Sequence, residues 1–208
     1  MRNGDPAPSP RAGTAAGGSG RVNQKLRTRT AILRAAVELM RTGGEVTMLE
    51  VARAALVSEA TAYRYFPDLA SLLQEAMADE MPDPREALAG VAATADPVTR
   101  IAAATDHLMR LVLARQGAIR AMIAATITHP ATADKRPGLR FGLIDYALAP
   151  IDTTLEPAVL AQLKNDLAVV VSAEALFCLT DLCGLPPEAA IASAVHTAST
   201  LTRAALSP

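Results

Sequence analysis

Apolar residues along the first third of the chain recur with the period of a helix. Ile32, Ala35, Ala36, Leu39 and Met40 stand at i, i+3, i+4, i+7 and i+8, one face of a helix running from Arg27 to Arg41. Gly43 and Gly44 follow where a helix C-terminus favours glycine. Thr47 and Glu50 then form a capping-box pattern that opens a short second helix, ending near Ala54. Ala55, Leu56 and Val57 make the turn, and Ser58 caps a third helix that reaches Tyr65. Pro67 stops it, and Asp68 caps a fourth helix from Leu69 to about Glu80. Beyond a proline-rich break at 81–84, the pattern predicts helices at 85–94, 97–114, 116–128, 139–149, 156–183 and 187–206. No run alternates with period two for long enough to make a strand, so the predicted fold class is all-α.

Composition changes this picture little. Half of the 208 residues are apolar, yet no uninterrupted apolar run approaches the ~18 residues needed to cross a bilayer. No basic-then-apolar leader opens the sequence, and a cytoplasmic location without membrane association is the expectation. Residues 1–20, rich in Pro, Gly, Ala and Ser, offer too little to bury and are expected to be a disordered tail. Cys178 and Cys183 lie five apart on an expected helix. That spacing puts them on different faces, and they read as two small buried hydrophobes. No CxxC, HxxxH or ExxH spacing suggests a metal, and nothing calls for a cofactor. Ser172 and His196 have no nucleophile motif around them, so an enzyme is not expected.

Charge is more informative. The chain is close to neutral, but residues 21–66 carry eight Lys or Arg against four Glu, while residues 67–208 have an acidic excess. A basic head on an acidic body is the distribution of a polyanion-binding protein. The chain therefore divides into the tail, a head at 21–66 and a body at 67–208. Within the head, two short helices joined by a three-residue turn make a helix-turn-helix, whose second helix would enter a DNA major groove. Only six aromatic residues occur, and Tyr63, Tyr65 and Phe66 crowd around Arg64. Ala60 permits close approach, and Thr61 presents a hydroxyl and a methyl to a base edge. Tyr63, Arg64 and Tyr65 supply phosphate contacts, and Phe66 anchors the helix from beneath. Arg21, Lys25, Arg27 and Arg29 form a basic arm ahead of them.

The stretches TRTAILRAAVELMRTGG and EVTMLEVARAALVSEATAYRYF, followed by Leu72 and Leu73, resemble the N-terminal domain of the tetracycline-repressor (TetR) family of bacterial transcriptional regulators. The resemblance is strong over residues 27–77 and weak over the Ala-rich C-terminal half. It implies a homodimeric repressor that reads a pseudo-palindromic operator in double-stranded DNA. It also implies a helical body that binds a small-molecule effector and alters the spacing of the heads. Carried over by position, Thr47, Ser58, Glu59, Ala60, Thr61, Tyr63, Arg64 and Tyr65 are the DNA-contacting residues. This sequence departs from the family pattern at Leu56, which replaces a turn glycine, and at Glu59 and Asp68, where carboxylates face phosphate. Those carboxylates keep a second reading open, a helical sensor or interaction module of the same fold that has lost operator binding.

The body offers broader candidates. Its helices at 97–149 combine apolar bulk with scattered polar groups. His107, Arg110, Met122, Phe141 and Tyr146, with Phe177 further on, are candidate contacts for an apolar or amphipathic effector; Arg120 and His129 are further scattered polar groups. On the last helix, Ile191, Ala194, Val195, Ala198 and Leu201 form a small-residue stripe. It suits either a four-helix dimer interface or packing against the chain's own helices, and the dimer is the expectation.

Overall fold

The computed structural model describes residues 17–78, 82–128 and 138–207, and every regular element among them is helical. Residues 1–16 of the expected tail, and His129, lie outside the described residues. The first helix, α1 (Gly17–Arg41), begins ten residues before the expected start at Arg27. Residues 22–27 are exposed all round, so this first part of the helix is sustained by propagation along Gln24, Lys25, Leu26 and Arg27 rather than by burial. Gly43 adopts φ +68, the left-handed turn that ends a helix. The helices α2 (Met48–Ala54), α3 (Glu59–Tyr65) and α4 (Leu69–Ala78) follow at the expected places. Both arms of the predicted capping box are made: the Thr47 hydroxyl accepts from the Glu50 amide, and the Glu50 carboxylate accepts from the Thr47 amide. Asp68 accepts from the Ser71 amide at 2.7 Å to open α4.

Beyond the head lie α5 (Pro84–Ala87), α6 (Pro97–Ala114), α7 (Gln116–Thr128), α8 (Leu139–Leu148), α9 (Pro157–Val170), α10 (Ala173–Phe177) and α11 (Pro187–Leu206). The helix expected over 85–94 is only the single turn of α5 and a short 3-10 turn at 89–91. The long helix expected over 156–183 breaks at Val171 and Ser172. Three consecutive valines crowd the preceding turn, and Ser172 caps a new helix by accepting from the Ala175 amide. That helix ends in a π-helical turn at 178–182, and Cys178 and Cys183 are exposed rather than buried.

Two cores organise these elements. The body core joins α6, α8, α9 and α11 around Ile101, Met109, Leu143, Leu148, Leu167 and Ile191. Arg100, buried on α6, donates to the carbonyls of Ala147 (3.0 Å) and Tyr146 (2.8 Å) and so satisfies the end of α8. The stripe assigned to a dimer is used here instead. Ile191, Ala194 and Ala198 are buried in the body core, and Val195 and Leu201 pack against it. α11 lies along α6 within one chain, and its small residues permit that close approach.

The head core contains Ile32, Ala36, Met40, Val51, Ala62 and Phe66. It extends through Leu72, Leu73, Ala76 and Met77 of α4 to Ala118 and Met122 of α7. The boundary expected between residues 66 and 67 thus falls inside one core. α6 and α7 are separated by a single residue and bent by 92°, which turns α7 from the body onto the head. There the backbones meet. A Cβ on Gly117 would lie 1.5 Å from the Gly44 carbonyl oxygen. Further along α7, Arg120 makes a two-pronged ion pair with Asp181 of the π turn at 2.6 and 2.9 Å. Its guanidinium also lies 3.8 Å from the Phe177 ring centroid. Arg120, and more weakly the Thr180 hydroxyl, hold the Asp181 carboxyl down to about 2.

Gly117→Ala should therefore destabilise the protein by about 1–3 kcal/mol, while Gly90→Ala, whose Cβ meets nothing within 4 Å, should change stability by less than about 0.5 kcal/mol. Urea denaturation of the two variants checks this. Asp181 titrates below its unfolded value of 3.8, so its contribution is present above that pH and is lost as pH falls through about 2. Across that window the melting temperature of the wild type should fall more steeply than that of Asp181→Asn.

Candidate nucleic-acid interface and effector cavity

α3 has two distinct sides. Ala62 is fully buried and Phe66 is 2% exposed, which seats the helix on α2 and in the head core. Ser58, Glu59, Ala60, Tyr63 and Arg64 are exposed on the other side, with Tyr63 at 47%; Thr61 and Tyr65 are half-buried. The leading side chains of the predicted reading helix thus stand free of the core. The Ser58 hydroxyl accepts from the Thr61 amide at 3.2 Å and lies 2.8 Å from the Thr61 hydroxyl, so cap and candidate reader share one hydrogen-bonded pair. Arg64 lies 5.7 Å over the Tyr65 ring, which orients the guanidinium at the exposed end of the helix.

The turn before α3 is strained. Leu56 adopts φ +56, a left-handed conformation that costs a residue with a Cβ about 1–2 kcal/mol. Its side chain is 93% exposed. The position requires what glycine supplies freely, and the neighbouring bonds hold it: the Leu56 amide donates to Arg53 and the Val57 amide to Ala52.

Not every expected DNA contact is available. Arg29 forms a two-pronged ion pair with Glu75 of α4 and stacks 4.9 Å over Phe66, so its guanidinium ties α1 to α4 instead of facing phosphate. The Thr47 hydroxyl and amide are both spent on Glu50. Lys25 and Arg27 are exposed along the protruding start of α1, and Arg34 and Arg53 are exposed elsewhere on the head.

A cavity of about 80 Å³ opens between the two cores, room for several waters. Met77 of α4, Leu108, Leu111 and Val112 of α6, and Ile119, Met122 and Ile123 of α7 make its apolar wall. Leu139, Arg140, Ser172, Ala173 and Glu174 complete it, and Arg140 meets Glu174 at 3.4 Å. Met122 is the expected effector contact that lines this space. Arg110 is exposed on the far side of α6, paired with Asp106 (3.0 Å) and Glu188 (2.9 Å); those carboxylates, Glu188 foremost, raise its proton affinity. Phe141 points outward, 53% exposed. Tyr146 is half-buried with Arg100 4.9 Å over its ring, and Phe177 lies under Arg120. His107 is half-buried outside the lining, and its Nε2 has no hydrogen-bond partner among the described residues.

Together these features define a helix-turn-helix protein whose head is welded to a helical body across an apolar cavity. Residues 32–76 match the model of bacterial regulatory proteins of the tetR family, and the chain carries that family's N-terminal domain. The fold is similar to a TetR transcriptional regulator from Rhodococcus sp. RHA1, at 22% identity and a TM-score of 0.53, covering 86% of this chain and 97% of that one. It is also similar to a tetR-family transcriptional regulator from Streptomyces coelicolor, at 20% identity and a TM-score of 0.52, covering 86% of this chain and 82% of that one. No curated protein sequence matches the chain. Among the described residues, no single helix is long and apolar enough to cross a membrane.

Leu56→Gly should remove the left-handed penalty and stabilise the protein by about 1 kcal/mol in urea denaturation.

Proposed function

We propose that this protein is a DNA-binding transcriptional repressor that acts as a homodimer and releases its operator when a small apolar or amphipathic effector enters the cavity. The observation that carries the reading is the two-sided α3, with Ala62 and Phe66 buried and Ala60, Tyr63 and Arg64 open to solvent. Such a helix can lay its leading residues in a major groove while its core side fixes the angle of entry. Ala60 and Thr61 read base edges. Tyr63, exposed on the same side of α3 as Ala60, reaches a base edge as well as the phosphates expected of it. Arg64 and Tyr65, together with Lys25 and Arg27, hold phosphates. Glu59, exposed at the first turn, accepts from a cytosine amine.

Dimerisation uses the outer faces of α9 and α11, since the inner stripe of α11 is occupied. Ala158 and Ala161 of α9 and Ala189 and Ala192 of α11 are exposed at helical spacing and offer small side chains to a second copy, with Val169 and His196 exposed on the same faces. The effector acts through shared walls. Met77 and Met122 belong to the head core and also line the cavity, so filling the cavity moves α4 and α7 against the head.

A gel shift against DNA flanking the protein's own gene, read at several salt concentrations, tests this. Thr61→Ala and Tyr63→Ala should weaken the preferred site by about 1–3 kcal/mol and leave non-specific binding unchanged. Arg27→Ala and Arg64→Ala should weaken all DNA equally and reduce the salt slope by about one each. Salt-independent association with every DNA would favour the sensor module instead.

A further inference from the structure

The turn after α10 joins three features that DNA binding does not use. Residues 178–182 are wound as a π helix, and the Cys183 amide donates to the Cys178 carbonyl at 3.1 Å. An α-helix would put residues five apart on different faces. An i→i+5 hydrogen bond instead brings them one turn apart on the same side, with Cα atoms about 6 Å apart, as an i→i+4 bond does in an α-helix. That separation lies inside the Cα range of a disulfide, about 4.4–6.8 Å, and leaves the Cβ atoms to be brought together. Both thiols are free and exposed. The helix goes no further than Cys183: Gly184 takes φ +66, and the Leu185 amide turns back to the Leu179 carbonyl at 3.0 Å. Cys183 therefore sits at an element's end, where the backbone can turn to close the two Cβ atoms to the roughly 3.5–4.5 Å that a disulfide needs.

We propose that Cys178 and Cys183 are a dithiol site that reacts with small-molecule disulfides to form an internal bridge. One cysteine thiolate attacks a sulfur of the small disulfide, whose S–S bond breaks; the departing half leaves as a thiolate and takes up a proton. The second cysteine, as its thiolate, attacks the sulfur of the resulting mixed disulfide and expels the other half in the same way. Two protein thiols are oxidised and one disulfide is reduced to two small thiols. The bridge spans Asp181, which grips Arg120 at 2.6 and 2.9 Å from within the same turn. Oxidation thus pins the winding that presents Asp181 to Arg120, one helical turn from the contact of Gly117 with Gly44. By reciprocity, removing the ion pair must favour the reduced form.

The test uses the full chain equilibrated with mixtures of oxidised and reduced glutathione, read by intact mass and by alkylation of free thiols. The expected product has lost two hydrogens, carries no glutathione and presents neither thiol. Cys183→Ser should stop at one glutathione adduct. Arg120→Ala and Asp181→Asn, each verified as folded by circular dichroism, should shift the equilibrium toward the dithiol by about 3- to 10-fold, as for a modest coupling between sites. Two stable glutathione adducts per chain, or chains linked to one another in place of an internal bridge, would overturn the site. An unchanged equilibrium in both ion-pair variants would overturn its link to α7. Neither readout depends on operator binding.

Discussion

Gly117 has no side chain, and the carbonyl of Gly44 occupies the space where one would be. Because the contact is backbone on backbone, it cannot be adjusted by a rotamer, and it fixes where α7 enters the head. Ala118 and Met122, one turn apart on the neighbouring face, then enter the head core beside Leu72, Leu73 and Met77 of α4. α6 reaches this point from the other core through a bend of 92° at a single residue. Head and body are consequently one packed object, and the cavity between them exists because α6 and α7 diverge while α4 and α8 close the gap. Native cores transmit such displacements because they are packed too densely to absorb them.

The head concentrates its local strain and its exposed side chains in one place. Leu56 is held left-handed at the turn, with Ser58 capping the next helix two residues later. The surrounding core, through Ala52, Ala62 and Phe66, over-determines that turn and so sustains a conformation the residue would not choose. The gain is the angle of α3, which leaves Ala60, Tyr63 and Arg64 outside while Ala62 is sealed beneath them.

What the sequence disclosed follows from what periodicity encodes. Caps and breakers are local chemistry, so Thr47 with Glu50, Ser58, Asp68 and the bounds of α6 and α7 could be read directly. An apolar stripe says only that a helix face is covered. It does not say by what, and the stripe Ile191–Ala194–Ala198 is covered by α6 of the same chain. Cation partners are likewise tertiary. Glu75 lies 46 positions from Arg29 and Asp181 lies 61 from Arg120, separations at which no local spacing rule operates. The breaks after Val171 and at the π turn had weak signals, a valine triplet before Ser172 and Gly184 after Cys183. Arg140 and Glu174 of the cavity wall had none, because each sits among apolar residues on a different helix.

The pairing of cations also refines the charge argument. The acidic excess beyond residue 66 suggests a body that repels DNA, yet several of its carboxylates are held against arginines: Glu75 by Arg29, Asp106 and Glu188 by Arg110, and Asp181 by Arg120. These pairs set positions within the fold and contribute little net field at a distance, where salt screens what remains. Arg29 is withdrawn from the basic arm by the same logic. The field that a phosphate backbone meets is then set by Lys25, Arg27, Arg34, Arg53 and Arg64, all exposed on α1, α2 and α3, against the exposed carboxylates of Glu45 and Glu59. The contrast between head and body thus rests on placement more than on formal charge: many body charges are engaged in holding helices, while these five head cations are left facing solvent.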